Sequence, residues 1–221
     1  MGTNKVGVFL ENRLFNILAI QSAFCAGSHT AIKTYNLLIS GNALDKSFDE
    51  LAFSDFFDCK VQKRLQSVNK SAVAEIITVS KKYGIDIIPI YSDKYPQPFK
   101  NIYSPPLVIY VKGVLPNVME EPAFCIVGPR KVTDFGRKAA YSLARRLSKS
   151  GMIIVSGCAQ GADTSAHLGV INANGKSIMV IADGIVTELN SGNSTLCKKF
   201  AIAVFRPNSR IIHEFLSFFP S

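Results

Sequence analysis

Two kinds of spacing divide the apolar positions of this chain. From Leu14 to about Lys82 they fall three and four residues apart, as in Leu14, Ile17 and Leu18, then Ile32, Tyr35 and Leu38, then Val73, Ile76 and Ile77. That repeat places side chains on one face of a helix. Gly27-Ser28 and Ser40-Gly41-Asn42 interrupt it with turn formers that can double as helix caps. A small all-helical module is therefore predicted first. The texture changes at Gly84, where Ile85 to Tyr91 is β-rich, Lys94 to Pro98 and Ser104 to Pro106 are stiffened by proline, and Leu107 to Val111 reads as a strand,. Beyond it, the runs Ala123 to Val127, Met152 to Val155 and Ser177 to Ala182 alternate with helical stretches over Asp134 to Ser150 and Thr164 to Asn174. The first of these stretches carries Phe135, Ala139, Leu143 and Leu147 as its apolar stripe, with Arg and Lys opposite,. Apolar strands separated by helices predict an α/β fold with a parallel sheet, helices on both faces and right-handed crossovers.

Charge narrows the partners. The chain of 221 residues holds 25 Lys and Arg against 16 Asp and Glu, a formal charge of +9, and the sequence pI is near 9.4. An excess of this size concentrates polyanions, nucleic acid first among them, although many proteins are mildly basic with no such partner. The longest apolar stretches fall short of the roughly 18 continuous positions of a membrane span. Nor does the start read as an export signal, so a cytoplasmic protein with no membrane partner is expected. The 5 cysteines stand singly and the 3 histidines lie far apart. Neither a disulfide framework nor a metal site is predicted, and no cofactor is expected.

Two glycine-bearing loops stand out as candidate chemistry. One runs from Gly128 through Pro129, Arg130, Lys131, Val132, Thr133, Asp134 and Phe135 to Gly136; the other runs from Ser156 through Gly157, Cys158, Ala159, Gln160 and Gly161 to Asp163. Each follows a predicted parallel strand, at the edge where ligands gather and helix N-termini point. Small residues let backbone N–H groups approach an oxyanion, and the helix dipole favours a phosphate there. Arg130 adds a bidentate donor that is always charged. Ser156 and Thr133 can donate hydroxyl hydrogen bonds, and Thr133 is also a good N-cap, the reading its position favours. Asp163 and His167 lie four apart, on one helical face,. They can be read as an acid/base pair or, preferably, as a helix cap with a packed histidine beside it. The first loop lacks the three glycines of a dinucleotide site, and no acidic residue ends the second strand to hold a ribose,. A nicotinamide cofactor is thereby disfavoured.

These segments together resemble a family. Tyr95-Pro96, Pro105 to Gly113, Ile126 to Arg130, Thr133, Phe135-Gly136, Ile154 to Gly157, Ala159, Gly161 to Asp163 and Ala166-His167 are similar, in order and interval, to the core of the DprA/Smf family. The likeness covers roughly Lys82 to Ile185. It implies a SAM or helix-hairpin-helix-like module over residues 1–75 and an extended Rossmann-like DNA-binding domain over 76–221, with its core at 122–185. It further implies a sequence-independent single-stranded DNA binding protein, not an enzyme. Such a protein shields the strand and helps load a RecA-type recombinase in natural transformation or recombination, and it often forms a homodimer. The phosphate-binding residues implied are Gly128, Arg130, Lys131, Thr133, Gly136, Ser156, Gly157, Ala159, Gly161 and Lys176, supported by Asp163, His167, Arg137, Lys138 and Asn193. Phe135, Phe200 and Phe205 can serve as stacking platforms worth about 1–3 kcal/mol per base, although a phenylalanine is first of all a core residue. Arg145, Arg146 and Lys149 read as a solvated helix face.

The chain departs from the family pattern in places. Pro129 stands where a serine is usual, which removes a backbone donor, and after the third strand, Ser177 to Ala182, only Gly184, Asn193 and Leu196 keep register. The family's next strand is expected to be missing between Leu196 and Phe205. Three alternatives stay open. They are a degenerate copy with weakened DNA binding, a nucleotide-binding sensor, and a LOG-like nucleoside-monophosphate phosphoribohydrolase, although the PGG and glutamate motif of that enzyme is absent.

Overall fold

The computed structural model describes residues 3–181, 185 and 201–204, excepting the side chains of residues 3–10 and 201–204. It divides into two compact units, the first comprising residues up to Tyr83 with Ile87–Ile109, the second Gly84–Asp86 with the described residues from Tyr110 on.

The first unit is helical because its apolar repeat is helical. Helices α1 (Thr3–Phe24), α2 (His29–Ser40), α3 (Phe48–Ala52), α4 (Cys59–Gln66) and α5 (Lys70–Tyr83) bury Ile17, Leu18, Ile20, Leu38, Leu51, Leu65, Val73 and Ile76 among them. Ser47 and Asp58 accept hydrogen bonds from the first-turn amides of α3 and α4, the capping that satisfies donors with no partner inside the helix. Asn16, buried on α1, donates through Nδ2 to the carbonyls of Leu44 and Lys46 and so fixes the turn between α2 and α3. The unit continues through β1 (Asp86–Pro89) from Ile87 on, α6 (Gln97–Lys100) and the start of β2 (Val108–Lys112), where the Gln21 side chain accepts from the Val108 amide at 2.9 Å. The buried Tyr95 hydroxyl donates to the Pro106 carbonyl at 2.7 Å, and burial raises its pKa.

The second unit is a Rossmann-like sheet. Strands β3 (Ala123–Cys125), β4 (Ile153–Ser156), β5 (Ser177–Ile181) and β6 (Ala201–Val204) are mutually parallel, and β2 joins β6 antiparallel. Their order is β2-β6-β5-β4-β3. Ala201–Val204 thus forms a strand in the segment where the sequence pattern suggested one was missing. Helix α7 (Asp134–Lys149) links β3 to β4, and α8 (Ala162–Ile171) links β4 to β5. Both crossovers step the same way across the sheet, so right-handed connections put both helices on one face. They pack closely there: a Cβ on Gly169 would lie 2.3 Å from the Tyr141 carbonyl oxygen. On the other face Ile153 and Ile178 pack with Leu115, Val118, Val155 and Val180.

The buried side of α7 differs from the stripe its sequence suggests. Ala144 and Ser148 are buried, whereas Phe135 is 83% exposed, Leu143 45% exposed and Ala139 exposed as well. Close approach to α8 requires short side chains on the inner face, and bulkier residues turn outward.

Candidate functional site

The two loops meet beyond the carboxyl ends of β3 and β4. Gly161 precedes α8 with φ +101°, and a Cβ there would lie 2.4 Å from the Arg130 carbonyl oxygen and 2.5 Å from that of Pro129. Only glycine fits this backbone and this approach. A Cβ on Gly128 would come within 2.6 Å of the Ala162 Cβ, and the Ala162 amide donates to the Pro129 carbonyl at 3.4 Å. The loops are therefore backbone against backbone. The start of α7 is fixed by Thr133, whose Oγ1 accepts from the Gly136 amide at 3.1 Å. Gly136 is needed for space, since a Cβ would sit 2.8 Å from Val132 Cγ2, and its amide is committed to that cap. In the second loop the Ala159 carbonyl accepts from the Thr164 hydroxyl at 2.8 Å.

On this frame Arg130, Lys131, Arg137 and Lys138 are exposed. Arg137 lies 3.8 Å from Asp134. Arg130, Lys131 and Lys138 form no ion pair among the described residues. Phe135, at the start of α7, points into solvent rather than into a core. Its sequence signal, one apolar residue in a stripe, suggested packing, and only the close α7–α8 contact reveals the exposure.

Two expected phosphate donors lie elsewhere. Ser156 is 2% exposed and its hydroxyl donates to the Ile126 carbonyl at 2.6 Å. It ties the first two parallel strands together and has no proton to offer at the rim. Lys176 immediately precedes β5, at the amino edge of the parallel strands, and pairs with Glu121 at 2.6 Å. Strand direction thus puts Lys176 at the opposite edge from the loops. Asn193, Phe200 and Phe205 lie outside the described residues.

Asp163 and His167 belong to the interior. Gly161, not Asp163, is the N-cap of α8, and Asp163 sits in its first turn, buried against Gly157. That carboxylate suits the positive end of the helix dipole. His167 is 0% exposed, with Nε2 2.8 Å from the Gly157 carbonyl and Nδ1 2.9 Å from Ser177 Oγ, which also lies 2.6 Å from the Ile154 carbonyl. A neutral imidazole protonated at Nε2 donates to Gly157 and leaves Nδ1 to compete with Ile154 for the serine proton. Burial lowers the His167 pKa, against the Gly157 hydrogen bond and the nearby Asp163 charge, which raise it. Among the described residues no cluster of His, Cys, Asp and Glu is arranged to hold a metal.

A parallel sheet whose first two strands end in interlocked glycine loops, with exposed cationic side chains on and after the first loop, defines a Rossmann-like protein,. The profile of the family described as DNA recombination-mediator protein A matches residues 86–211, more than half of the chain, and the chain belongs to that family, the DprA/Smf proteins. It is 37% identical over 109 residues to the DNA processing protein DprA of Bacillus subtilis, covering 49% of this chain and 37% of that protein. It is 33% identical over 127 residues to the protein Smf of Borreliella burgdorferi, covering 58% and 39% of the two chains. The chain thus spans under two fifths of these relatives' length. The crystal structure of DprA from Streptococcus pneumoniae superposes with a TM-score of 0.67 at 22% identity, over 88% of this chain and 68% of that one, which shows a shared fold. No described helix is long and apolar enough to cross a membrane.

Proposed function

We propose that this chain binds single-stranded DNA without regard to sequence, at the rim where the two glycine loops meet. On this reading it acts in the cytoplasm as a binding protein rather than an enzyme. It shields the strand and, as a homodimer, helps to load a RecA-type recombinase in natural transformation or recombination. One observation carries the proposal: the interlocked Gly128 and Gly161 turns leave Arg130 and Lys131 exposed, with no carboxylate paired to either among the described residues. Loop backbone and helix N-termini would receive phosphates, Arg130 would grip one bidentately, and the other cations would supply a surrounding field. Phe135 offers a base a free aromatic face worth about 1–3 kcal/mol. Both imidazole nitrogens of His167 are hydrogen-bonded and the ring is buried, which argues against the acid/base pair that a phosphoribohydrolase reading requires.

The test is a titration of labelled oligothymidine, single-stranded and annealed, with wild-type protein and Arg130→Ala. Single strands should bind more tightly than duplex or mononucleotide. Arg130→Ala should weaken binding equally across sequences and flatten the salt dependence on single strands by about 0.7 unit. Equal affinity for thymidine monophosphate and a long strand would turn the reading into a nucleotide sensor. Free base released from nucleoside monophosphates by wild type and not by Asp163→Ala would make the protein an enzyme.

A further inference from the structure

The outer face of α7 carries a line of cations and, beside it, a set of exposed apolar residues, with the exposed Arg146 between the two near the C-terminal end. At about 100° per residue, Lys138, Arg145 and Lys149 fall within about 40° of one another around the axis, and the distance from first to last is about 16 Å. All three are exposed, and no carboxylate among the described residues pairs with them. Beside this line runs a second, Phe135, Ala139 and Leu143, each four residues after the last and each exposed. The inner face carries the close contact with α8, so both sets lie away from that contact.

A single nucleic-acid strand presents phosphates along one edge and bases along the other, whereas a duplex hides its base faces. Cations in one row with apolar side chains in the next match the former. The rim lies at the N-terminal end of this helix, where Thr133 caps it, so a strand leaving the rim meets the two lines directly. We propose that α7 is a second segment of the single-strand site, its basic line taking phosphates and its apolar line taking base faces beyond those held at the rim. The inference rests on the rim reading above and extends it to a longer footprint.

The whole chain and its Arg145→Ala/Lys149→Ala variant are compared by anisotropy on labelled oligothymidines of 6 and 20 nucleotides across a salt series. A variant removing equal charge from the helical unit, Lys60→Ala/Lys63→Ala, is run in parallel. The α7 variant should bind the 20-mer at least about ten-fold more weakly at low salt, with a salt slope smaller by about 1.4 units at 0.7 per cation. Its affinity for the 6-mer should be unchanged. Leu143→Ser should weaken binding to the thymidine 20-mer and leave an abasic strand of equal length unaffected. If the 6-mer binds but the α7 variant matches wild type on the 20-mer, or the control variant loses as much, the track is wrong and the rim stands. If wild type binds neither oligonucleotide, both fall together. If Arg145→Ala/Lys149→Ala instead abolishes sedimentation with phosphatidylserine vesicles while 20-mer affinity holds, α7 faces a lipid surface and the inference is overturned.

Discussion

Helices α7 and α8 are built at the same place in successive crossovers, each entering from a glycine loop and each lying on the same sheet face, yet they spend their sequences differently. α8 buries seven of its ten residues, Ala162, Asp163, Ser165, Ala166, His167, Gly169 and Val170. The sixteen-residue α7 buries only Ala144 and Ser148 and turns cations and large apolar groups outward. One helix is scaffold and its neighbour is surface. Fold position alone therefore does not say which element meets a ligand.

Substitutions can break that contrast, beginning with the closest contact. Gly169→Val on α8 drives a branched side chain against the Tyr141 carbonyl, from which even a Cβ would lie 2.3 Å away. Overpacking of this kind should cost about 3 kcal/mol or more in a urea unfolding series. His167→Gln should cost about 1–3 kcal/mol at pH 7.5, because the Gly157 and Ser177 groups lose a fitted partner,. The sign of the pH dependence follows from the lowered pKa of His167. Below about pH 6.5 the unfolded chain takes up a proton that the folded chain refuses, so stability falls as pH drops, by at most about 1.4 kcal/mol per unit. Chemical unfolding between pH 5 and 7.5 should show this slope in the wild type and a flatter one in the glutamine variant. Thr133→Ala, at the α7 N-cap, should cost about 1 kcal/mol in the same assay. Leu143→Ser on the outer face of α7 should change stability by less than about 0.5 kcal/mol. A large loss there would show that the helix is as much scaffold as its neighbour.

Much of the sheet unit was legible in the sequence, since apolar runs and glycine turns mark β3, β4 and β5 within a residue or two and Thr133 marks the start of α7. What was not legible has physical causes. The inner face of α7 rests on Ala144 and Ser148, which are too short to register as a hydrophobic stripe, so Phe135, Ala139 and Leu143 were assigned inward. Lys176 is close in sequence to β5, but only the parallel direction of the strands shows that it stands at the far edge beside Glu121. Ser156 reads as a phosphate donor until its hydroxyl is seen bound to Ile126. The strand Ala201–Val204 follows a segment whose register with the family is lost, and its pairing with β5 and β2 could not be inferred from pattern.

The wedge of Gly161 beneath Pro129 and Arg130 has a consequence for anyone re-engineering this protein. With no slack between those backbones, a new sequence in either turn will be transmitted to its neighbour as a displacement. Libraries that vary Gly128 to Thr133 alone should return few folded members, and those that vary both turns in concert should return more.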